Sequence, residues 1–182
     1  MDNHELPTVE TFDERSEDTT VVELDNLATL MAGVLNREGI ASTGEASLTL
    51  VDPARIAELK AEHLDGDGSP TDVLSFPIDG IEGDSDETGV ILVGDIVVCP
   101  SVAENQAGEH AGSTQDELAL LVIHGSLHLT GWDHAEPEEQ AKMWSREKEL
   151  MIELHGQPAR DPWGFDGNGS GSAPATDDGE RS

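Results

Sequence analysis

Residues 113–134 read STQDELALLVIHGSLHLTGWDH. Ser113 or Thr114 caps a helix there, with Asp116 and Glu117 in the first turn, where the helix dipole favours negative charge. From Leu118 to Leu129 the stretch is apolar almost all round, so this helix belongs inside the protein. It ends near Gly131. A central buried helix needs packed layers about it, and the flanking segments offer both strands and helices.

Working outward, Leu24, Leu27, Ala28, Met31, Val34 and Leu35 recur at helical spacing within residues 21–38, and Gly39 is a plausible stop. Residues 46–51, ASLTLV, are β-prone. Asp52 then serves as N-cap of a helix with Pro53 in its first turn and Ile56, Leu59, Ala61 and Leu64 on its apolar side. Residues 65–71 form a turn-rich loop, VLSF (73–76) is a strand ended by Pro77, and residues 79–89 are a Gly/Asp/Glu-rich surface loop. VILVGDIVV (90–98) is a strand largely buried on both faces, interrupted at Gly94 and Asp95 by a bulge or a close approach. A short helix follows over 101–109. A last amphipathic helix runs over 137–155, with Ala141, Trp144, Leu150, Met151 and Leu154 as its contacts.

This pattern predicts α/β or α+β architecture rather than a bundle or a sandwich. Three regions are expected. Residues 1–20 are an acidic segment holding a short strand near Thr8–Phe12, and residues 21–155 are one domain. Residues 156–182 contain six Gly, three Pro and no Ile, Leu, Val or Met, and are expected to be disordered.

The 182 residues include 9 Lys plus Arg against 39 Asp plus Glu, a net charge of −30. No Lys or Arg occurs between Lys60 and Lys142, so the basic patch of an ordinary nucleic-acid binder is missing from the middle of the chain. Either the protein avoids polyanions or it works in concentrated salt, where at about 1 M the Debye length falls to roughly 3 Å. Salt adaptation is the favoured reading. No apolar run reaches the roughly 20 residues of a membrane span. The start lacks a secretory signal, and the single Cys99 excludes an internal disulfide. A cytoplasmic protein is expected.

The chemistry concentrates in HGSLHLTGWDH (124–134). His124 and His128 lie four apart, so their imidazoles share one face of the helix and can reach one Zn²⁺. Gly131 lets the chain turn, and His134 returns as a third ligand. Three nitrogens leave one position open for water, whose pKa such an ion lowers to about 7. A zinc-peptidase superfamily shares the H-x3-H-x2-G-x2-H spacing but places a general-base Glu after the first His. Here Gly125 stands in that place, which argues against peptide hydrolysis by that route.

The same stretch resembles the HGxLHLxGYDH signature of the YbeY endoribonucleases, or rRNA maturation factors. SPTDVLSFP (69–77), GDIVVCP (94–100) and ELALLVIHG (117–125) match further elements in the family's order. The resemblance implies an α+β fold, with a mixed sheet of about four strands and about five helices. It implies one zinc held by His124, His128 and His134, through which catalysis runs. The implied activity is endonucleolytic cleavage of single-stranded RNA in 16S rRNA 3′-end processing and ribosome quality control. The implied partners are rRNA and the small ribosomal subunit or its assembly factors, with no membrane and no DNA. Trp132 replaces the usual Tyr. An Arg that many members carry before PTDVLSFP is absent from His63-Leu64-Asp65-Gly66-Asp67. The zinc itself, His63, His110 and backbone N–H groups are candidate substitutes.

Other residues carry two readings each. His110 binds phosphate or shuttles a proton, or is an exposed loop histidine. Asp95 orients a zinc-bound His or caps a bulge, and Asp133 does the former or is a solvated surface residue. Thr71, Asp72 and Ser75 line a groove, or the first two serve the turn after Pro70. Cys99 is a small buried hydrophobe in preference to a ligand, and Trp132 stacks a base or packs on the last helix. Two alternatives to the endoribonuclease stand: a zinc hydrolase of another substrate, and a non-catalytic ribosome-assembly factor stabilised by its metal.

Overall fold

The computed structural model describes residues 5–64, 66, 68–78 and 89–164. Strand β1 (Thr8–Asp13) leads to α1 (Leu24–Arg37), β2 (Gly44–Leu50), α2 (Pro53–Leu64), β3 (Val73–Pro77) and β4 (Ile91–Val98). Helices α3 (Pro100–Ala107), α4 (Thr114–Leu129) and α5 (Pro137–Leu154) complete the described elements. The fold is α+β, with one mixed sheet ordered β1-β2-β4-β3. β1, β2 and β4 run parallel to one another, and β3 runs antiparallel to β4 at the edge. Pro77 at the end of an edge strand costs no ladder bond within the sheet.

Strand β2 alternates strictly, with Ala46, Leu48 and Leu50 buried on the face that meets α1 and α4. Strand β4 carries the bulge read at Gly94. Glu45 pairs with Leu92 while Ala46 pairs with Gly94, so Val93 is the extra residue. The slip lets Val93 and Ile96, three apart, enter the same core. Gly94 has φ of 148°, and a Cβ there would lie 2.5 Å from the Phe76 carbonyl oxygen and 2.7 Å from Leu129 Cδ2. Glycine is required by that approach.

Helix α4 is the centre of the molecule. Every residue from Glu117 to Leu129 is buried except His128. One flank packs on the sheet with α1, the other joins α1 and α5 through Leu120, Ile123, Leu127, Met143, Leu150 and Met151. Ser113 caps it by accepting from the Asp116 N–H. Gly125, read above as a missing general base, has a packing role: a Cβ would come within 3.0 Å of Ile96 Cδ1 and Ser75 Oγ. Among the described residues no helix is long and apolar enough to cross a membrane.

Four expectations are corrected. Asp52 begins α2 with its carbonyl, but its carboxylate accepts from the Ser16, Glu17 and Asp18 backbone N–H groups and the Ser16 hydroxyl. Those bonds hold its pKa down at about 2. Ala141 is exposed, because the apolar face of α5 is set by Met143, Glu147, Leu150 and Met151. Helix α3 spans 100–107 rather than 101–109, with Gly108 at its C-cap, while His110 lies in the loop before α4 as expected. Finally, residues 156–164 are packed, with Pro162 and Trp163 buried. Aromatic area, which the count of aliphatic residues overlooked, anchors them. The rest of the predicted tail and most of the predicted 79–89 loop lie outside the described residues.

Candidate metal centre

The C-terminal end of α4 builds the site. Helical periodicity puts His124 and His128 one turn apart on one face. The helix then closes in a Schellman turn: the Gly131 N–H donates to the His128 carbonyl and the Trp132 N–H to the Leu127 carbonyl. Gly131 has φ of 100°, the left-handed conformation this turn needs. The reversal brings His134 back, and the ligand nitrogens of His124, His128 and His134 all lie within 4.8 Å of one another. His134 is steadied by Asp133, whose Oδ1 accepts the His134 backbone N–H at 2.7 Å.

The outer nitrogens are already committed. His124 Nδ1 lies 2.5 Å from Glu147 Oε1, and His128 Nδ1 lies 3.0 Å from the Trp132 carbonyl oxygen. A carbonyl and a carboxylate facing other donors only accept, so both Nδ1 atoms carry the proton. Both Nε2 atoms then present lone pairs, yet they face each other at 3.0 Å. His134 Nε2 is buried with no hydrogen-bond partner among the described residues. Two ligands at 2.0–2.1 Å on a tetrahedral ion sit roughly 3.3 Å apart, close to the spacing of the first pair. Burial, then the neighbouring His124 and His134, hold the His128 pKa down at about 3, so that ring is neutral near pH 7. A shared cation would resolve the opposed lone pairs, and three imidazole nitrogens are the donor set zinc takes in open sites.

Glu147, which the reading of α5 missed, is 3% exposed and sits behind His124. Its second oxygen accepts from Trp163 Nε1 at 3.1 Å. The signal for it was a charged residue on the apolar stripe of an amphipathic helix, four after Met143 and three before Leu150.

The other candidates fall elsewhere. Asp95 is exposed on the sheet face away from α4, beside the bulge, and accepts from Ser47 Oγ at 2.5 Å; the carboxylate behind the histidines is Glu147 instead. His110 Nδ1 lies 2.8 Å from Glu117 Oε2, seven residues and roughly 10 Å along α4 from His124. Asp72 is buried and accepts from Gln106 Nε2 at 2.6 Å. Thr71 is buried beside it, while the Ser75 hydroxyl donates to the Gly125 carbonyl at 3.4 Å. Cys99 is fully buried. His63 stacks edge-on against Phe76 at 5.3 Å between centroids. Trp132 packs among the α4–α5 residues and donates through Nε1 to Glu38 at 2.9 Å.

Comparison with known proteins agrees with this geometry. The family profile described as Endoribonuclease YbeY matches residues 11–155. Endoribonuclease YbeY of Rhodococcus erythropolis is 42% identical over 152 residues, covering 81% of this chain and 82% of the relative. That of Mycolicibacterium smegmatis is 39% identical over 150 residues, covering 80% and 82%. The solution structure of a Thermotoga maritima protein superposes with a TM-score of 0.54 at 28% identity, covering 80% of this chain and 88% of the other. A three-imidazole cluster at the end of a buried helix and a family match running through it lead to one conclusion: the chain belongs to the YbeY endoribonuclease family.

Proposed function

We propose that the protein is a zinc-dependent endoribonuclease that cuts single-stranded RNA in the cytoplasm, in 16S rRNA 3′-end maturation and ribosome quality control. His124, His128 and His134 are the ligands. The observation that carries this reading is the pair of Nε2 atoms at 3.0 Å with both Nδ1 atoms committed to acceptors. A zinc ion held there supplies Lewis acidity toward a phosphodiester oxygen.

The chain's own residues do the rest. Glu147 fixes the tautomer and orientation of His124, and the Trp132 carbonyl does so for His128. The Schellman turn sets the reach of His134. Lys142 lines a shallow hollow with Thr130, Gly131, Trp132, Glu139 and Asp133, the last next in the chain to His134, so its one cation is set against two carboxylates. RNA phosphate meets a strongly negative surface, so binding relies chiefly on the zinc charge and on salt screening. The RNA partner is rRNA in the context of the small ribosomal subunit or its assembly factors.

The test uses purified full-length protein in high KCl. Metal analysis should return one zinc per chain. A single-stranded RNA oligonucleotide should be cut and its duplex form spared, and His128→Ala should lower the rate at least 100-fold. Equal residual cutting by wild type and His128→Ala would overturn the nuclease assignment.

A further inference from the structure

We propose that residues 155–164, the segment that follows α5, are a strap that positions the metal-binding imidazole of His124 through Trp163 and Glu147. The inference rests on the metal reading given above and extends it to residues past 155, where the family match ends.

The strap is moored at the far end of α4. Asp116 on the first turn accepts from His155 Nε2 at 2.8 Å through one oxygen and from the Ala159 N–H at 2.9 Å through the other. The Arg160 N–H donates to the Ala111 carbonyl at 2.9 Å. Gly112 admits this crossing, since a Cβ there would stand 2.8 Å from the Ala159 Cβ and from the Arg160 nitrogen. From this mooring the chain runs to Trp163, whose backbone N–H is held by Asp161 Oδ1 at 2.9 Å. The Trp163 indole is 5% exposed and packs among the α4–α5 core residues.

The indole ends the run on a donor. Trp163 Nε1 gives its hydrogen to Glu147 Oε2 at 3.1 Å, and Glu147 Oε1 meets His124 Nδ1 at 2.5 Å. A carboxylate has two acceptor oxygens, and here each serves one donor. The indole bond stops Glu147 from rotating about its last torsion, and so aims the other oxygen at the imidazole. Glutamine could not replace it, because its one acceptor can satisfy only one of the two donors and its amide would then face the other donor. Both residues are positioning residues: neither reaches the ion directly.

The experiment compares four full-length chains: wild type, Glu147→Gln, Trp163→Phe and the double variant. Trp163→Phe keeps a buried ring and removes only the donor. Zinc affinity is read by chelator competition, ligand geometry by the absorption bands of the Co²⁺-loaded protein, and folding by thermal melts without metal. Glu147→Gln should weaken zinc about 10- to 100-fold. Trp163→Phe should weaken it several-fold and shift the Co²⁺ bands. The double variant should bind no worse than Glu147→Gln alone, because both act through one carboxylate and the amide no longer opposes an indole donor. Wild-type affinity and unchanged bands in Trp163→Phe would overturn the strap, as would losses that multiply in the double variant. Wild type that takes up neither Zn²⁺ nor Co²⁺ would overturn the metal reading and the strap together.

Discussion

The two ends of α4 both bury polar side chains, and they do so in opposite ways. At the N-terminal end Glu117, fully buried, accepts from His110 Nδ1, the Ala111 N–H and Gln106 Nε2. The same Gln106 amide group also donates to Asp72 Oδ2. Each carboxylate is matched by donors from the protein itself. At the C-terminal end the three imidazoles point nitrogen toward nitrogen, and the carboxylate and carbonyl stand behind them rather than between them. The first cluster pairs its carboxylates within the protein and leaves one nitrogen, His110 Nε2, buried without a hydrogen-bond partner among the described residues; the second turns several imidazole nitrogens toward one point that a cation could occupy. Burial of polar groups on one helix therefore does not by itself mark a site. The convergence of several imidazole nitrogens on one point does.

That contrast can be broken by experiment. His134→Ala should cut RNA cleavage about 10³-fold, on the order of 4 kcal/mol of barrier. It should cost the metal-free protein little stability, because it removes a ring with no partner for its buried nitrogen; single-turnover kinetics and urea melts read the two effects. Glu117→Ala should do the reverse. Stranding three buried donors should cost about 3 kcal/mol in a urea melt, with one zinc per folded chain retained. If Glu117→Ala also emptied the zinc site, the two ends would be one cooperative unit rather than two.

Metal addition sharpens the comparison further. Free zinc at 100 times Kd should stabilise wild type by about 2.7 kcal/mol. Glu117→Ala should gain as much and His134→Ala nothing, as read by melts with and without chelator.

The smallest effect is in pH. Burial pushes the Asp72 carboxyl above its ordinary 3.8, with the Gln106 hydrogen bond opposing. The folded state then keeps a proton that the unfolded chain has released, so this group's contribution to stability falls as pH rises through that window. Asp52, held at about 2 by the Ser16 and Asp18 N–H groups, acts with the opposite sign: its contribution is lost as pH falls from 3.8 through 2. Asp72→Asn should remove the decline above pH 3.8, and Asp52→Asn should flatten the acid limb below it, both in pH-dependent melts.

Legibility followed the range of each interaction. Helix α4 was readable because its burial is written in consecutive residues, and the three histidines because one helix turn and one glycine bring them together. The bulge at Gly94 was readable as an interruption, but its consequence was not. A one-residue slip decides which face Asp95 occupies, and it points away from the imidazoles. Asp52 looked like a cap because its neighbours form a helix, yet the segment at Ser16–Asp18 competes for the same oxygens. Residues 156–164 looked too polar to order, yet Trp163 alone buries an aromatic ring and ends on a hydrogen bond.

Chain order alone therefore established the buried helix and the three-imidazole face, because each depends on residues within a few positions of one another, and the family, because its motifs recur in order along the chain. Three-dimensional packing settled which carboxylate stands behind His124, 23 residues away in the chain, and what holds that carboxylate, a further 16 residues on. A side chain on α5 has no local reason to choose an imidazole on α4. The choice is made when two helices close on a shared core and every buried donor must find an acceptor.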